Sequence, residues 1–120
     1  MRNFRGDLMS QCKFTVSLIP MQVMVKIKAE RFATLIYEEF HDMGNEKYCG
    51  TLIFEKYYMR AGNRVALVVL VNNLNGKTEV TSVATGSSQG MLFNFDWGAA
   101  DSFADSVKRV LESYITEEIN

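Results

Sequence analysis

Hydrophobic and polar residues alternate along most of this chain, with the period of two that is typical of β-strands. In residues 13–19, Phe14, Val16 and Leu18 share one side, while lysine, threonine and serine occupy the other. Similar stretches recur between short turn sequences rich in glycine and asparagine. The pattern predicts strands at residues 13–19, 35–42, 48–59, 64–72, 78–85 and 91–95, and therefore an antiparallel sheet of about five to six strands.

Two segments follow the helical period instead. Pro20 suits the first turn of a helix, and the apolar spacing after it predicts a helix over residues 20–32. Apolar residues recur at helical intervals near the end of the chain: Ala100, Phe103, Ala104, Val107, Val110, Leu111 and Tyr114. We expect an α+β fold in the order β-α-β-β-β-β-α, in which a long C-terminal helix ends the chain and packs on one face of the sheet. Residues 1–11 are predicted to form a flexible tail, and residues 12–118 a single domain.

Two turns predict the register of the central strands. Asn75-Gly76 is typical of a two-residue type I′ turn, which needs a positive φ at both positions. A second turn at residues 60–63 would place Met59 opposite Arg64. The Asn75-Gly76 turn predicts the strand pairs Val71–Val80, Val69–Ser82 and Leu67–Ala84.

This register assigns the central side chains to two faces of the sheet. The first face, which we expect the helices to cover, carries Leu52, Phe54, Lys56, Tyr58, Val65, Leu67, Val69, Val71, Val80, Ser82 and Ala84. The second carries Ile53, Glu55, Tyr57, Met59, Ala66, Val68, Leu70, Thr81, Val83 and Thr85. Because residues 65–71 are apolar on both sides, we expect another copy of the chain to cover the second face in a homodimer. The alternatives are one helix on each face, or a modest apolar patch that stays exposed.

The composition excludes several classes of function. A net charge of −1, from 13 basic and 14 acidic residues, argues against nucleic-acid binding. Two cysteines and one histidine are too few for a disulfide scaffold or a zinc site, and we expect neither a metal nor another cofactor. No apolar run approaches the roughly 20 residues of a membrane-spanning helix, and no apolar signal segment is present, so we expect a cytoplasmic protein without membrane contact.

The densest group of polar residues surrounds the predicted turn at residues 60–63. Lys56 falls between apolar residues on the core face, where burial could lower its pKa and make it a base or an anion anchor. The alternative is a lysine at the sheet edge with only its stem buried. Arg60 and Arg64 could clamp a carboxylate or phosphate, or could simply be solvated at a hairpin tip. With Tyr58 nearby, these residues are candidates for ligand binding.

Two further features suggest a ligand. Ser87 and Gln89 lie in the segment Gly86–Gly90, whose backbone N–H groups could hold an anion, although the lysine of a phosphate-binding loop is absent. A plain connection between elements is the alternative. The small residues Ser82 and Ala84 either allow close approach of the C-terminal helix or leave a hollow for an apolar ligand beneath it.

Two functions from different classes therefore remain open. The first is a non-catalytic binding or homodimeric assembly module, with a small apolar ligand between the sheet and the C-terminal helix. The second is an enzyme that acts on a small anionic substrate through Lys56 and Tyr58, with Arg60 or Arg64 as the anchor. The second requires these side chains to converge in one cleft.

Several of these stretches resemble a bacterial family of unknown function. The similarity lies in Lys13-Phe-Thr-Val-Ser, Phe54-Glu-Lys-Tyr-Tyr-Met-Arg followed by Asn63-Arg, Gly86-Ser-Ser-Gln-Gly and Phe95-Asp-Trp-Gly. It spans about residues 12–114. Members of that family are small single domains, mostly from Gram-positive Firmicutes, and the resemblance implies no activity, cofactor or catalytic residue. The order of elements is also similar to TBP-like and helix-grip sheets, a likeness of fold that carries no function.

Overall fold

One antiparallel sheet organises the fold. The computed structural model describes the backbone of residues 9–58, 63–86 and 97–119, and the side chains of residues 11–57, 64–85 and 103–119. The elements are β1 (Met9–Val16), α1 (Pro20–Ala29), β2 (Thr34–Gly44), β3 (Lys47–Tyr58), β4 (Asn63–Asn72), β5 (Thr78–Gly86), α2 (Trp97–Leu111) and β6 (Ile115–Glu118). The six strands form a sheet of order β2-β3-β4-β5-β1-β6, and every pair is antiparallel. The predicted α+β class is confirmed, whereas the strand predicted at residues 91–95 lies outside the described residues.

The end of the chain differs from the prediction of a long terminal helix. Helix α2 stops at Leu111, and a 3₁₀ turn over Glu112–Tyr114 leads into β6. β6 pairs with β1, and the amide of Ile119 donates to the carbonyl of Lys13 at 2.9 Å. The edge of β1 thus supplies hydrogen bonds that compete with continued helix, while the acidic tail would be unfavourable at the negative end of a helix dipole. The prediction of a long helix ending the chain is wrong.

Two other predicted boundaries also change. Met9–Gln11, assigned above to the flexible tail, pair with Val83–Thr85 as the start of β1. Helix α1 ends at Ala29 rather than at residue 32, because Arg31 adopts a left-handed conformation with φ of 50°. This turn brings the ring of Phe32 to 5.1 Å from that of Phe54, between centroids.

The register of β4 against β5 is confirmed: Val71, Val69 and Leu67 lie opposite Val80, Ser82 and Ala84. The connecting turn is nevertheless not the predicted one, since Gly76 has a φ of 92° but Asn75 does not have a positive φ. Against β3, the prediction misses by two residues, and Tyr57 rather than Met59 lies opposite Arg64. A shift of two residues leaves every side chain on its predicted face.

Both described helices cover the same face of the sheet, the one predicted for them. The hydrophobic core lies between that face and the helices and includes Phe14, Leu52, Phe54, Leu67, Val69, Val80 and Ala84 from the strands and Val23, Met24, Ile27, Phe103, Val107 and Leu111 from the helices. Gly50 allows α1 to approach β3, because an added Cβ would lie 2.7 Å from Sδ of Met24. α2 packs on β1, β4 and β5.

Ser82 and Ala84 serve the close approach of α2. Both residues are fully buried, and the hydroxyl of Ser82 donates to the carbonyl of Ala104 at 2.9 Å. Phe103 and Val107 are buried against the same strands. The hypothesis of a ligand in a hollow between the sheet and α2 therefore loses its basis, because Ser82 bonds to the helix directly and Ala84 is fully buried.

Among the described residues, no helix is both long enough and apolar enough to cross a membrane.

Candidate interaction surface

Lys56 and Arg64 lie on opposite faces of the sheet. Lys56 is paired with Val65, a core residue, yet its own side chain is exposed at the end of β3. Arg64 is paired with Tyr57 and lies on the face without helices. The two cations cannot meet in one cleft. The enzyme hypothesis therefore cannot use Lys56 and Arg64 together on one substrate.

Arg64 is already engaged by its neighbours. Its Nη1 donates to Oε1 of Glu55 at 3.3 Å, and its guanidinium carbon lies 5.9 Å from the centre of the Tyr57 ring. Arg64 and Tyr57 are exposed and Glu55 is half-buried, so this group resembles an ordinary surface ion pair. The side chains of Tyr58, Arg60, Ser87 and Gln89 lie outside the described residues, and their predicted roles stay predictions.

The face opposite the helices carries a continuous apolar cluster, and no other described element covers it. Tyr37, Ile53, Val68 and Val83 stand side by side on β2, β3, β4 and β5. Leu70 and Ala66 extend this row along β4. Tyr37 and Leu70 are 50% and 42% exposed, values more typical of a surface patch than of core residues. We call this surface the open face, and its six apolar residues the open-face cluster: Tyr37, Ile53, Ala66, Val68, Leu70 and Val83.

Charged residues of opposite sign flank the cluster on its two sides. Glu39 lies on β2, in the row that continues through Thr51, Leu70 and Thr81 to Lys13 on β1. Oε2 of Glu39 lies 2.9 Å from Nε2 of His41, and this hydrogen bond lowers the pKa of the Glu39 carboxyl. Lys13 lies 3.6 Å from Glu79, measured between Nζ and Oε1. The open face is thus apolar in the centre, with Glu39 on one side and Lys13, paired with Glu79, on the other.

Cys49 and His41 are strand partners on this face. The imidazole nevertheless contacts Glu39, and both cysteines are free thiols. Burial raises the pKa of the Cys12 thiol. Within the described residues, no group of three or more His, Cys, Asp or Glu side chains is arranged to hold a metal ion.

Comparison with known proteins gives a family without an assigned role. The model of a family described as "Family of unknown function (DUF6054)" matches residues 9–115, so the chain belongs to that family. Membership of a family of unknown function, expected from the sequence, is confirmed; the bacterial origin stays a prediction. No curated protein and no solved structure matches the chain.

Proposed function

We propose that this protein is a non-catalytic assembly module that forms a homodimer through the open face. The supporting observation is the open-face cluster, which lies on the side of the sheet opposite both described helices. Strands that are apolar on both sides are normally covered on both sides, because exposed apolar area costs free energy in water. A second copy brings a surface of the same size and shape.

The open face is large enough for a small stable interface. Five strands about 4.8 Å apart and about eight residues long, at about 3.3 Å per residue, outline an area of about 600 Å². Stable interfaces bury about 600–1,000 Å² on each partner. The face therefore reaches the lower end of this range, which suits a small reversible dimer rather than an obligate one.

The order of residues across the face favours a particular symmetry. β4 is the middle of the five strands β2-β3-β4-β5-β1. A two-fold axis along β4 would lay the β2 side of one copy over the β1 side of the other. Leu70 would then meet Leu70 of the second copy, and Glu39 would face the second copy's Lys13. The arrangement buries the apolar centre and pairs opposite charges at both rims.

The central test is the oligomeric state of a variant with a charge in the cluster. Leu70→Asp should make the protein monomeric at micromolar concentration, weakening association by about 100-fold or more because two carboxylates would be buried together. Light scattering coupled to size-exclusion chromatography measures this. Met43→Asp is the matched control, since Met43 is 58% exposed at the β2–β3 turn and lies off the cluster. Circular dichroism checks that both variants are folded, and a monomeric wild type would refute the proposal.

A charge exchange tests the two-fold arrangement itself. Lys13→Glu and Glu39→Lys should each weaken the dimer by about two- to fivefold, because each places like charges at both rims. The double variant restores opposite charges and should recover most of the lost affinity. Additive losses in the double variant would rule out the axis along β4 while leaving a dimer of other geometry possible.

A further inference from the structure

A groove on the other side of the sheet has the features of a ligand site. It lies where the start of α1 meets the β2–β3 hairpin, and it has a volume of about 540 Å³. Small-molecule sites usually measure about 300–1,000 Å³ and combine apolar walls with a few fixed polar groups. Because the groove is on the helix side, it is separate from the open face and does not depend on dimerisation.

The walls of the groove are largely apolar. Phe40 and Tyr48 form a stacked pair, with ring centroids 5.6 Å apart and planes inclined by 15°. Ile19 and Met21 also line the groove and are 60% and 47% exposed. These exposed side chains, beside the two aromatic rings, form an apolar surface that a bound ligand would shield from water.

The polar end of the groove is held in place by the side chain of Asn73. Glu46 lines the groove and has a left-handed backbone with φ of 63°, which is uncommon for a residue other than glycine. Asn73 fixes it there: its Nδ2 donates to the carbonyl of Glu46 at 3.0 Å, and its Oδ1 accepts from the amide of Tyr48 at 2.7 Å. The carboxylate of Glu46 makes no ion pair with any residue whose side chain is described.

We propose that this groove binds a small organic ammonium ion that carries an apolar or aromatic body. Glu46 lines the groove and brings a carboxylate that would complement the cationic head, and the ring faces of Phe40 and Tyr48 that are not covered by their mutual stacking would attract cations as well as apolar groups. The N-terminus of α1 also borders the groove and by itself favours an anion. Its partial charge is only about half an elementary charge, and Pro20 supplies no N–H donor there. The full charge of Glu46 therefore decides the sign of the ligand.

The test is a titration of the isotope-labelled protein, followed through amide resonances in ¹H–¹⁵N spectra. Benzyltrimethylammonium is the probe, and we expect millimolar binding with shifts grouped at Ile19, Tyr48 and Asn73. Tetramethylammonium lacks the apolar body and phenylacetate has the opposite charge, so both should bind at least about tenfold more weakly. Glu46→Gln should weaken binding of the probe about two- to fivefold, whereas Glu112→Gln, at an exposed acid away from the groove, should not change it.

Three results would overturn the proposal. The first is no localised shift at about 20 mM probe, a concentration that would fill a millimolar site. The second is equal or tighter binding of phenylacetate, which would assign the groove to an anion at the helix N-terminus. The third is unchanged affinity of Glu46→Gln for the probe, since the ammonium would then not be recognised through its charge.

Discussion

The two faces of the sheet come from the same strands and differ in what lies against them. On β4, Leu67 is fully buried beneath the helices, whereas Leu70, three residues further along, is 42% exposed on the open face. Both are leucines in the middle of one strand, with neighbours in register on each side. Their difference comes from the tertiary arrangement, because both described helices pack on the same side. An apolar side chain in a strand therefore indicates that its face of the sheet can be covered. It does not indicate which partner covers that face.

The polar residues follow the same division. On the covered face, Ser82 donates its hydroxyl to the backbone of α2, and small side chains lie where a helix must come close. On the open face, polar groups pair with one another at the rims, as in the hydrogen bond between Glu39 and His41 and the ion pair of Arg64 with Glu55. Polar groups inside a core must be satisfied internally, whereas rim charges remain available to a partner.

The largest expected effect separates the two leucines of β4. Leu67→Ala should lower the free energy of unfolding by about 3–4 kcal/mol, since it opens a cavity in the core. Leu70→Ala should lower it by about 0.5 kcal/mol in dilute protein, because little buried area is lost. Urea unfolding followed by circular dichroism measures both. If the dimer forms, the cost of Leu70→Ala grows with protein concentration; a cost for Leu70→Ala equal to that of Leu67→Ala in dilute protein would contradict the division between the faces.

A smaller effect is expected where α1 crosses the covered face. Gly50→Ala should cost about 1–3 kcal/mol of unfolding free energy, because its Cβ would lie 2.7 Å from Sδ of Met24 and 3.1 Å from Cδ1 of Phe40. Gly76→Ala is the comparison: its surroundings are open, but its φ of 92° should cost about 1 kcal/mol. Wild-type stability of Gly50→Ala would show that α1 is not held closely against β3.

Removing the hydroxyl of Ser82 tests the contact of α2 with the sheet. Ser82→Ala should cost about 1 kcal/mol, the typical net value of one buried hydrogen bond. Ser113→Ala, at an exposed position, serves as the control and should leave thermal unfolding unchanged. If Ser82→Ala raised the unfolding temperature, the hydroxyl would be a source of strain rather than of stabilisation.

The reactivity of the two thiols probes both faces directly and leaves the stability of the protein unchanged. Cys12 is buried on the covered face with a raised pKa, so its thiolate is scarce at neutral pH. Cys49 is half-buried and lies on the open face. Iodoacetamide should therefore label Cys49 first, as followed by mass spectrometry, and more slowly as the protein concentration rises and the dimer covers it. Faster labelling of Cys12 than of Cys49 would contradict the assignment of Cys12 to the covered face and Cys49 to the open face.

Local patterns were enough to predict much of the fold. Alternation placed the five strands β1 to β5, and the hairpin around Asn75-Gly76 gave the right register although its turn type differs. The shift of two residues at the β3–β4 hairpin left every side chain on its predicted face, because side-chain direction repeats every two residues along a strand. The end of the helical stripe was misjudged, since Tyr114 fits a helix locally and only pairing with β1 draws the following residues into the sheet. The groove beside α1 had no signal in the sequence, because it joins residues from three distant segments.

The sequence by itself determined which side chains share a face, since the two-residue repeat is a property of the local backbone. It also determined that one face would be covered by helices, because the apolar stripe of each helix and the apolar strand positions are both buried when they pack together. The tertiary structure decided that α1 and α2 share that face, that Lys56 and Arg64 are kept apart, and that Glu46 joins the ring pair of Phe40 and Tyr48. These outcomes depend on contacts between distant parts of the chain, and such contacts are set by packing free energy rather than by local periodicity.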